Sequence, residues 1–248
     1  MMEEPEARLG YTIRGRQGQV IEALGAQIVG GRYQPGDLLP READLEAAYA
    51  VSRTSVREAM KVLAAKGLVE IRQKVGTRVR PLEMWSVFDA DILRWLIEHG
   101  SGDEVMRDLI ELRQILEPSA ARLAAGRASM LDLRRIEVAA ARMVETAGDH
   151  DSYAVNDLEF HMAVYAASHN SMLERFGRLI SEFLLHTFDL QQRARELGTI
   201  DFAEDAATHQ EVYDAITRGD SGTASEAMLR VVLEAKSALI EALARQHP

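Results

Sequence analysis

The chain has 248 residues, enough for one large domain or two ordinary ones, and its 47% hydrophobic share allows a sizeable core. It has no cysteine, which excludes disulfides, thiolate nucleophiles and cysteine-ligated zinc. An acidic start, MMEEPEARLG, and the lack of any run near about eighteen apolar residues speak against a secretory signal or a membrane span, so a cytoplasmic protein with no membrane partner is expected. The net charge of −10 would ordinarily argue against nucleic acid, but residues 1–80 hold 13 basic and 10 acidic side chains while the remainder hold 16 and 29. A basic module joined to an acidic one is the asymmetry expected when only one part meets a polyanion.

From Gly15 to Gly30, Val20, Ile21, Leu24, Ile28 and Val29 follow helical spacing, and Gly30-Gly31 stops the helix. YQPGD places Pro35-Gly36 at the centre of a type II turn. A short helix over about Arg41 to Ala50 is expected to turn Leu45 and Ala48 inward. Ser52 is a good N-cap for a third helix, Arg53 to Lys66, and Gly67 suits a left-handed C-terminal cap. Residues 68–79 approach a two-residue alternation with Gly76 near the reversal, which predicts a β-hairpin. Pro81 marks a boundary, and the apolar stretch 84–100, with both tryptophans, is expected to form a short helix packing the linker onto a second domain. Helices are predicted over 103–126, 130–147, 151–168, 171–196, 203–218 and 221–246, joined by short loops into an antiparallel bundle. The fold class expected is mainly α, with residues 1–80 forming a winged helix-turn-helix, 81–102 a linker and short helix, and 103–248 an all-α domain.

On the third helix, Val56, Ala59, Met60 and Leu63 form the core stripe, while Arg53, Thr54, Arg57 and Lys61 fall on an adjoining face. A short helix, a tight turn and a longer N-capped helix with basic residues near its start describe a helix-turn-helix whose second helix enters a major groove. Arginine there can grip guanine O6 and N7 or a phosphate bidentately. The hairpin with Lys74, Gly76, Arg78 and Arg80 then reads as a wing. The alternative, a solvated amphipathic helix, leaves the basic wing and the acidic remainder unexplained.

Residues 30–79 resemble the winged helix-turn-helix of the GntR family of bacterial regulators. The likeness lies in the Pro-Gly turn, the LP-x-E-x-x-L helix, the VSR-x-x-VREA helix, the GLV exit and the G-x-x-V wing. It implies that Ser52, Arg53, Thr54, Arg57 and Gly76 occupy DNA-contacting positions, to which the charge pattern adds Lys61. Two positions depart from the family pattern. Arg41 stands at a helix cap that is often serine, and Ala43 stands where some relatives carry a basic DNA-contacting residue.

In the acidic part, Asp157 and His161 stand four apart on one helix face beside Leu158, Met162 and Tyr165, and His209 shares a face with Val212, Tyr213 and Ile216. A carboxylate and two imidazoles from different helices suit a divalent ion with open positions. Read alone, the first pair fits a helix ion pair as well, and His209 fits a hydrogen-bonded core histidine. Residues 103–246 resemble the all-helical FCD ligand-binding domain of the FadR-type subfamily. The resemblance rests on Glu111, Arg113, Glu117, Ala120 and Ala121, on Asp157 and His161, on His169-Asn170, and on the pattern spanning 209–220. It implies an effector cavity lined by Arg113, Asp157, His161 and His209, with one divalent metal such as zinc on Asp157, His161 and His209. Metal-binding members often add a histidine where this chain has Val231, leaving at most three of the usual four ligands. Arg113 in that position implies a carboxylate effector, the alternative being an ion pair with Glu117 or another acid. His186 and Arg175 are further candidates. The segment MWSVFDADILRWLIE is similar to the one following the wing in galactonate-operon repressors, which implies a sugar acid, galactonate foremost, as effector. The resemblance thus implies a homodimeric, effector-released repressor of sugar-acid catabolism on a pseudo-palindromic operator, and not an enzyme. Two rivals remain: a metal-dependent enzyme using Asp157, His161 and His209, and a DNA-binding dimer without effector.

Overall fold

The computed structural model describes residues 15–99, 102–181, 184 and 201–244. The chain divides after Val105 into two compact units. In the first, α1 (Arg16–Val29) buries Val20, Ile21, Leu24, Ile28 and Val29, the face its spacing predicts. The turn follows, with the Asp37 amide donating to the Gln34 carbonyl at 2.9 Å across Pro35 and Gly36. In α2 (Glu42–Tyr49) the expectation for Ala48 is overturned. Leu45 is buried, but Ala48 is exposed and Tyr49 packs against the core instead. One turn after Leu45, Tyr49 falls on the same face and offers far more apolar area than an alanine. Arg41 has no side-chain oxygen to cap this helix. Asp44 substitutes in part, its Oδ2 accepting from the Arg41 amide at 3.2 Å.

Helix α3 (Arg53–Ala65) begins where Ser52 Oγ accepts from the Ser55 amide at 3.2 Å. It ends in a Schellman motif, with Leu68 N–H donating to Leu63 O and Gly67 N–H to Ala64 O, both at 3.0 Å. Val56, Ala59, Met60 and Leu63 are buried as their spacing predicts. Gly67 has φ +82°, and a Cβ there would lie 2.1 Å from the Met84 carbonyl oxygen. Gly67→Ala therefore combines left-handed strain with a backbone clash and should cost about 2 kcal/mol, measurable by denaturant unfolding.

Strands β1 (Val69–Arg72) and β2 (Gly76–Val79) form the antiparallel hairpin, with Val69 opposite Val79 and Arg72 opposite Gly76. The other edge of β2 is also engaged. Leu39 N–H donates to Thr77 O and Val79 N–H to Asp37 O, both at 2.9 Å, and Leu38 bridges Arg78. Two apolar residues beside a turn gave no strand pattern, so this edge was not anticipated.

The stretch expected to be one helix over 84–100 becomes helical only at α4 (Ala90–His99), after a 3-10 turn (Leu82–Met84) and a loop. Asp89 Oδ1 caps α4, accepting from the amides of Asp91 and Ile92 at 3.1 and 3.3 Å. Contrary to expectation, α4 packs on α1 within the first unit. Trp95 is fully buried against Gly25, where a Cβ would meet its ring at 2.3 Å, and its Nε1 donates to Glu22 Oε1 at 2.8 Å. Buried Lys66, at the end of α3, is neutralised by Asp89 and Asp91 at 2.6 and 2.7 Å.

The second unit is helical: α5 (Gly102–Arg127), α6 (Met130–Thr146), α7 (His150–Ala167), α8 (171–181), α9 (Phe202–Thr217) and α10 (Ser221–Ala244). Connections of three residues between α6 and α7 and between α9 and α10 make those packed neighbours antiparallel. The main packing pairs are α6 with α7, α9 with α10, and α6 with α9. Ser129 and Asp132 cap α6 reciprocally, and Asp201 Oδ1 caps α9. No helix among the described residues is long and apolar enough to cross a membrane.

Candidate functional site

Two sets of side chains carry chemistry, one in each unit. On α3 the residues expected to meet DNA are all exposed: Ser52, Arg53, Thr54, Arg57 and Lys61. Gly76 lies at the start of β2, also exposed. The arginines are not loose. Arg53 Nε and Arg57 Nε each lie 3.1 Å from a different oxygen of Glu42, while Lys61 Nζ is 2.7 Å from Glu58. Those arginines favour the ionised form of Glu42, the Arg57 hydrogen bond most of all, and hold its carboxyl below the usual range. In the wing, Arg78 turns back to donate to the Gly36 carbonyl rather than projecting outward.

In the helical unit, Asp157 and His161 on α7 and His209 on α9 come together in the interior, each less than a tenth exposed. His209 Nε2 lies 3.0 Å from Asp157 Oδ1 and 3.5 Å from His161 Nε2, and His161 Nε2 lies 3.7 Å from the same carboxylate oxygen. Ligands bound to one metal at about 2.0–2.2 Å, at angles between octahedral and tetrahedral, stand about 3–3.6 Å apart. The donor set therefore fits a divalent ion with little movement.

On His209 the outer ring nitrogen is engaged as a metal-binding imidazole requires. His209 Nδ1 is 2.8 Å from the Asp205 carbonyl oxygen, which favours the proton on that nitrogen and leaves Nε2 facing the cluster. His161 Nδ1 is 2.9 Å from Glu117 Oε2, off the axis of a hydrogen bond but within Coulombic reach. Phe160 packs edge-on against both imidazoles, with ring centroids 5.9 and 5.0 Å away. Its role was missed because it falls outside the expected stripe of Leu158, Met162 and Tyr165, of which Leu158 and Met162 are only half-buried.

The electrostatics favour charge despite burial. Burial opposes a charged imidazole at His209, yet Asp205 and Asp157 outweigh it and push the group up to about 9. Burial likewise raises Glu117, but Arg113 and His161 prevail and hold it at about 2. The partner that holds Arg113 is Glu117, one helical turn on, with Nε–Oε1 2.6 Å and Nη2–Oε2 3.3 Å, both side chains buried. Val231 is buried and apolar, so this position of α10 offers no ligand. Arg175 is exposed, and His186 lies outside the described residues.

Comparison with known proteins places these features in a family. Residues 16–79 match the model for bacterial regulatory proteins of the gntR family, and residues 108–234 match the FCD domain. The chain is similar to the galactonate operon transcriptional repressor of Escherichia coli K12, 32% identical over 90% of this chain and 96% of that one. It also resembles the Bacillus subtilis regulator LutR (31%, 82% and 91%) and a putative L-lactate dehydrogenase operon regulatory protein of Escherichia coli K12 (30%, 85% and 81%). Among solved structures, a Streptococcus agalactiae GntR protein matches with TM-score 0.50 and 26% identity over 89% of this chain and 99% of that one. Listeria monocytogenes Lar shares the fold, with TM-score 0.60 at 18% identity over 93% and 99%. The domains and relatives are regulators, which removes the reading of the Asp157, His161 and His209 cluster as an enzyme centre. The chain belongs to the gntR family of bacterial regulators, and is a DNA-binding transcriptional regulator with a helix-turn-helix unit and an FCD effector domain.

Proposed function

We propose that the protein is a cytoplasmic, homodimeric repressor of a catabolic operon, released when a small hydroxy-carboxylate, a sugar acid such as galactonate, binds in the helical unit. Ser52, Arg53, Thr54, Arg57, Lys61 and Gly76 are the residues assigned to DNA, and Arg113, Asp157, His161 and His209 those assigned to effector. The observation that carries this reading is the convergence of Asp157 Oδ1, His161 Nε2 and His209 Nε2 beside a buried Arg113–Glu117 pair. A divalent ion on Asp157, His161 and His209 would supply a Lewis-acidic centre with positions open to carboxylate and hydroxyl oxygens. Two relatives are named for the galactonate operon and the L-lactate dehydrogenase operon, and galactonate and lactate are both 2-hydroxy acids, which supports that ligand class.

Release requires only that effector favour one arrangement of the dimer over another, because a ligand shifts a two-state equilibrium by its differential affinity. A two-fold dimer on DNA implies a pseudo-palindromic operator. The test is a gel shift on the DNA upstream of the gene and its neighbours, titrated with sugar acids and lactate. Loss of the retarded band with one of these acids is the expected result. A band that survives every acid at millimolar concentration favours a DNA-binding dimer without effector.

Metal binding has its own readout. Zinc at about a hundredfold its dissociation constant should stabilise the fold by about 2.7 kcal/mol and raise the melting temperature by several degrees. A chelator should reverse the shift, and His161→Ala or Asp157→Ala should abolish it. An unchanged melting temperature in the wild-type chain refutes the metal.

A further inference from the structure

Before any DNA is present, the two arginines of α3 share one carboxylate. Glu42, the first residue of α2, accepts from Arg53 Nε on Oε2 and from Arg57 Nε on Oε1, each at 3.1 Å. The side chains are exposed, 67% and 59% for the arginines and 37% for Glu42, and exposed ion pairs contribute little to folding. The consequence of this bridge is conformational. A free arginine samples many rotamers, and immobilising it is a recurring cost of binding. A bridge of one oxygen to each arginine sets both guanidiniums before a duplex arrives.

The atoms used also matter. Each arginine gives its Nε–H to Glu42, which leaves the Nη1 and Nη2 end of each fork for a guanine edge or a phosphate. Glu42 also places a negative charge beside two positive ones, which weakens attraction to phosphates in general without removing the directional donors. A phosphate contact needs only positive charge near the backbone, whereas a base contact needs the fork in one orientation. The same bridge thus acts in opposite senses on the two kinds of binding.

We propose that Glu42 is a positioning residue for operator recognition, which orients Arg53 and Arg57 and restrains their attraction to unspecific phosphates. The proposal rests on the assignment of α3 as the DNA-reading helix. Two other roles make different demands. A carboxylate that blocked the arginines would weaken every DNA complex equally. One that only favoured the start of α2, through the helix dipole, would change stability and leave selectivity alone.

The test uses the full chain with Glu42→Ala and Glu42→Gln. The probes are a duplex selected by the wild-type protein from a random pool and a scrambled duplex of the same composition, read by fluorescence anisotropy. For Glu42→Ala, affinity for the selected duplex should fall about tenfold while affinity for the scrambled one stays or rises, so the selectivity ratio drops by at least about tenfold. Glu42→Gln, which keeps one acceptor oxygen without the charge, should fall between the two. Adding Glu42→Ala to Arg53→Ala/Arg57→Ala should change selected-duplex binding no further. Equal changes on both duplexes, in either direction, or no change on either, would overturn the role of Glu42. Wild-type binding by Arg53→Ala/Arg57→Ala instead points to failure of the α3 assignment itself.

Discussion

Arg113→Ala is expected to destabilise the helical unit by about 3–5 kcal/mol, because it leaves the Glu117 carboxylate buried without its cation. The melting temperature should fall by about 10 °C or more, which circular dichroism would register. Glu117 is fully enclosed, and Arg113 reaches it through two contacts from the preceding turn of α5. Adding Glu117→Gln, which removes the charge and keeps the shape, should recover most of the stability. If the double variant is no better than the single one, the pair is not what Arg113→Ala disrupts. Truncating Arg113 alone thus tests the fold before it tests the effector. Arg113→Met with Glu117→Gln is the background in which loss of release can be attributed to the missing guanidinium.

That dependence could not be read in the sequence with certainty, and the reason is physical. Glu117 and Arg113 are one turn apart, which many exposed pairs also are, and spacing alone does not say that both are buried. What was legible was local. The Ser52 cap, the Gly67 exit and the stripe of Val56, Ala59, Met60 and Leu63 depend on neighbours within a turn or two, so they appear as residue types at fixed offsets. The inward face of His209 was readable for the same reason, because Val212 and Ile216 follow it at helical spacing.

The relations that were not legible join distant segments. Trp95 seats on Gly25 some seventy residues away, Glu42 reaches Arg53 and Arg57 across a turn, and Leu39 pairs with Thr77 on the far edge of the wing. Each depends on where two elements meet, which residue spacing does not encode. The convergence of Asp157, His161 and His209 lies between these cases. Their helical faces were predictable from spacing, but bringing α7 and α9 to within 3.0 Å at Asp157 and His209 required the bundle or a family resemblance. Val231 shows the converse: its identity fixed in advance that α10 would add no ligand there, whatever the packing.

Each base-reading arginine is worth about 1–3 kcal/mol, so Arg53→Ala/Arg57→Ala is expected to weaken operator binding by less than the additive value of about 2–6 kcal/mol. The double variant should lose less than the two single variants added together, because both side chains hang on Glu42 and freeing one alters the other. Arg57→Lys should recover little of the loss of Arg57→Ala. A lysine can still attract a phosphate, but it has no planar fork to present to guanine O6 and N7. Lys61 provides the contrast. It is exposed, paired with Glu58 on its own helix, and further from the N-terminal end that enters the groove. Lys61→Ala should lower affinity for operator and scrambled duplexes alike and reduce the salt dependence by about one unit of slope. Anisotropy titrations at several salt concentrations separate the two behaviours. If Arg57→Lys binds the operator as tightly as the wild type, the arginine is contributing charge alone and sequence must be read elsewhere on α3 or the wing.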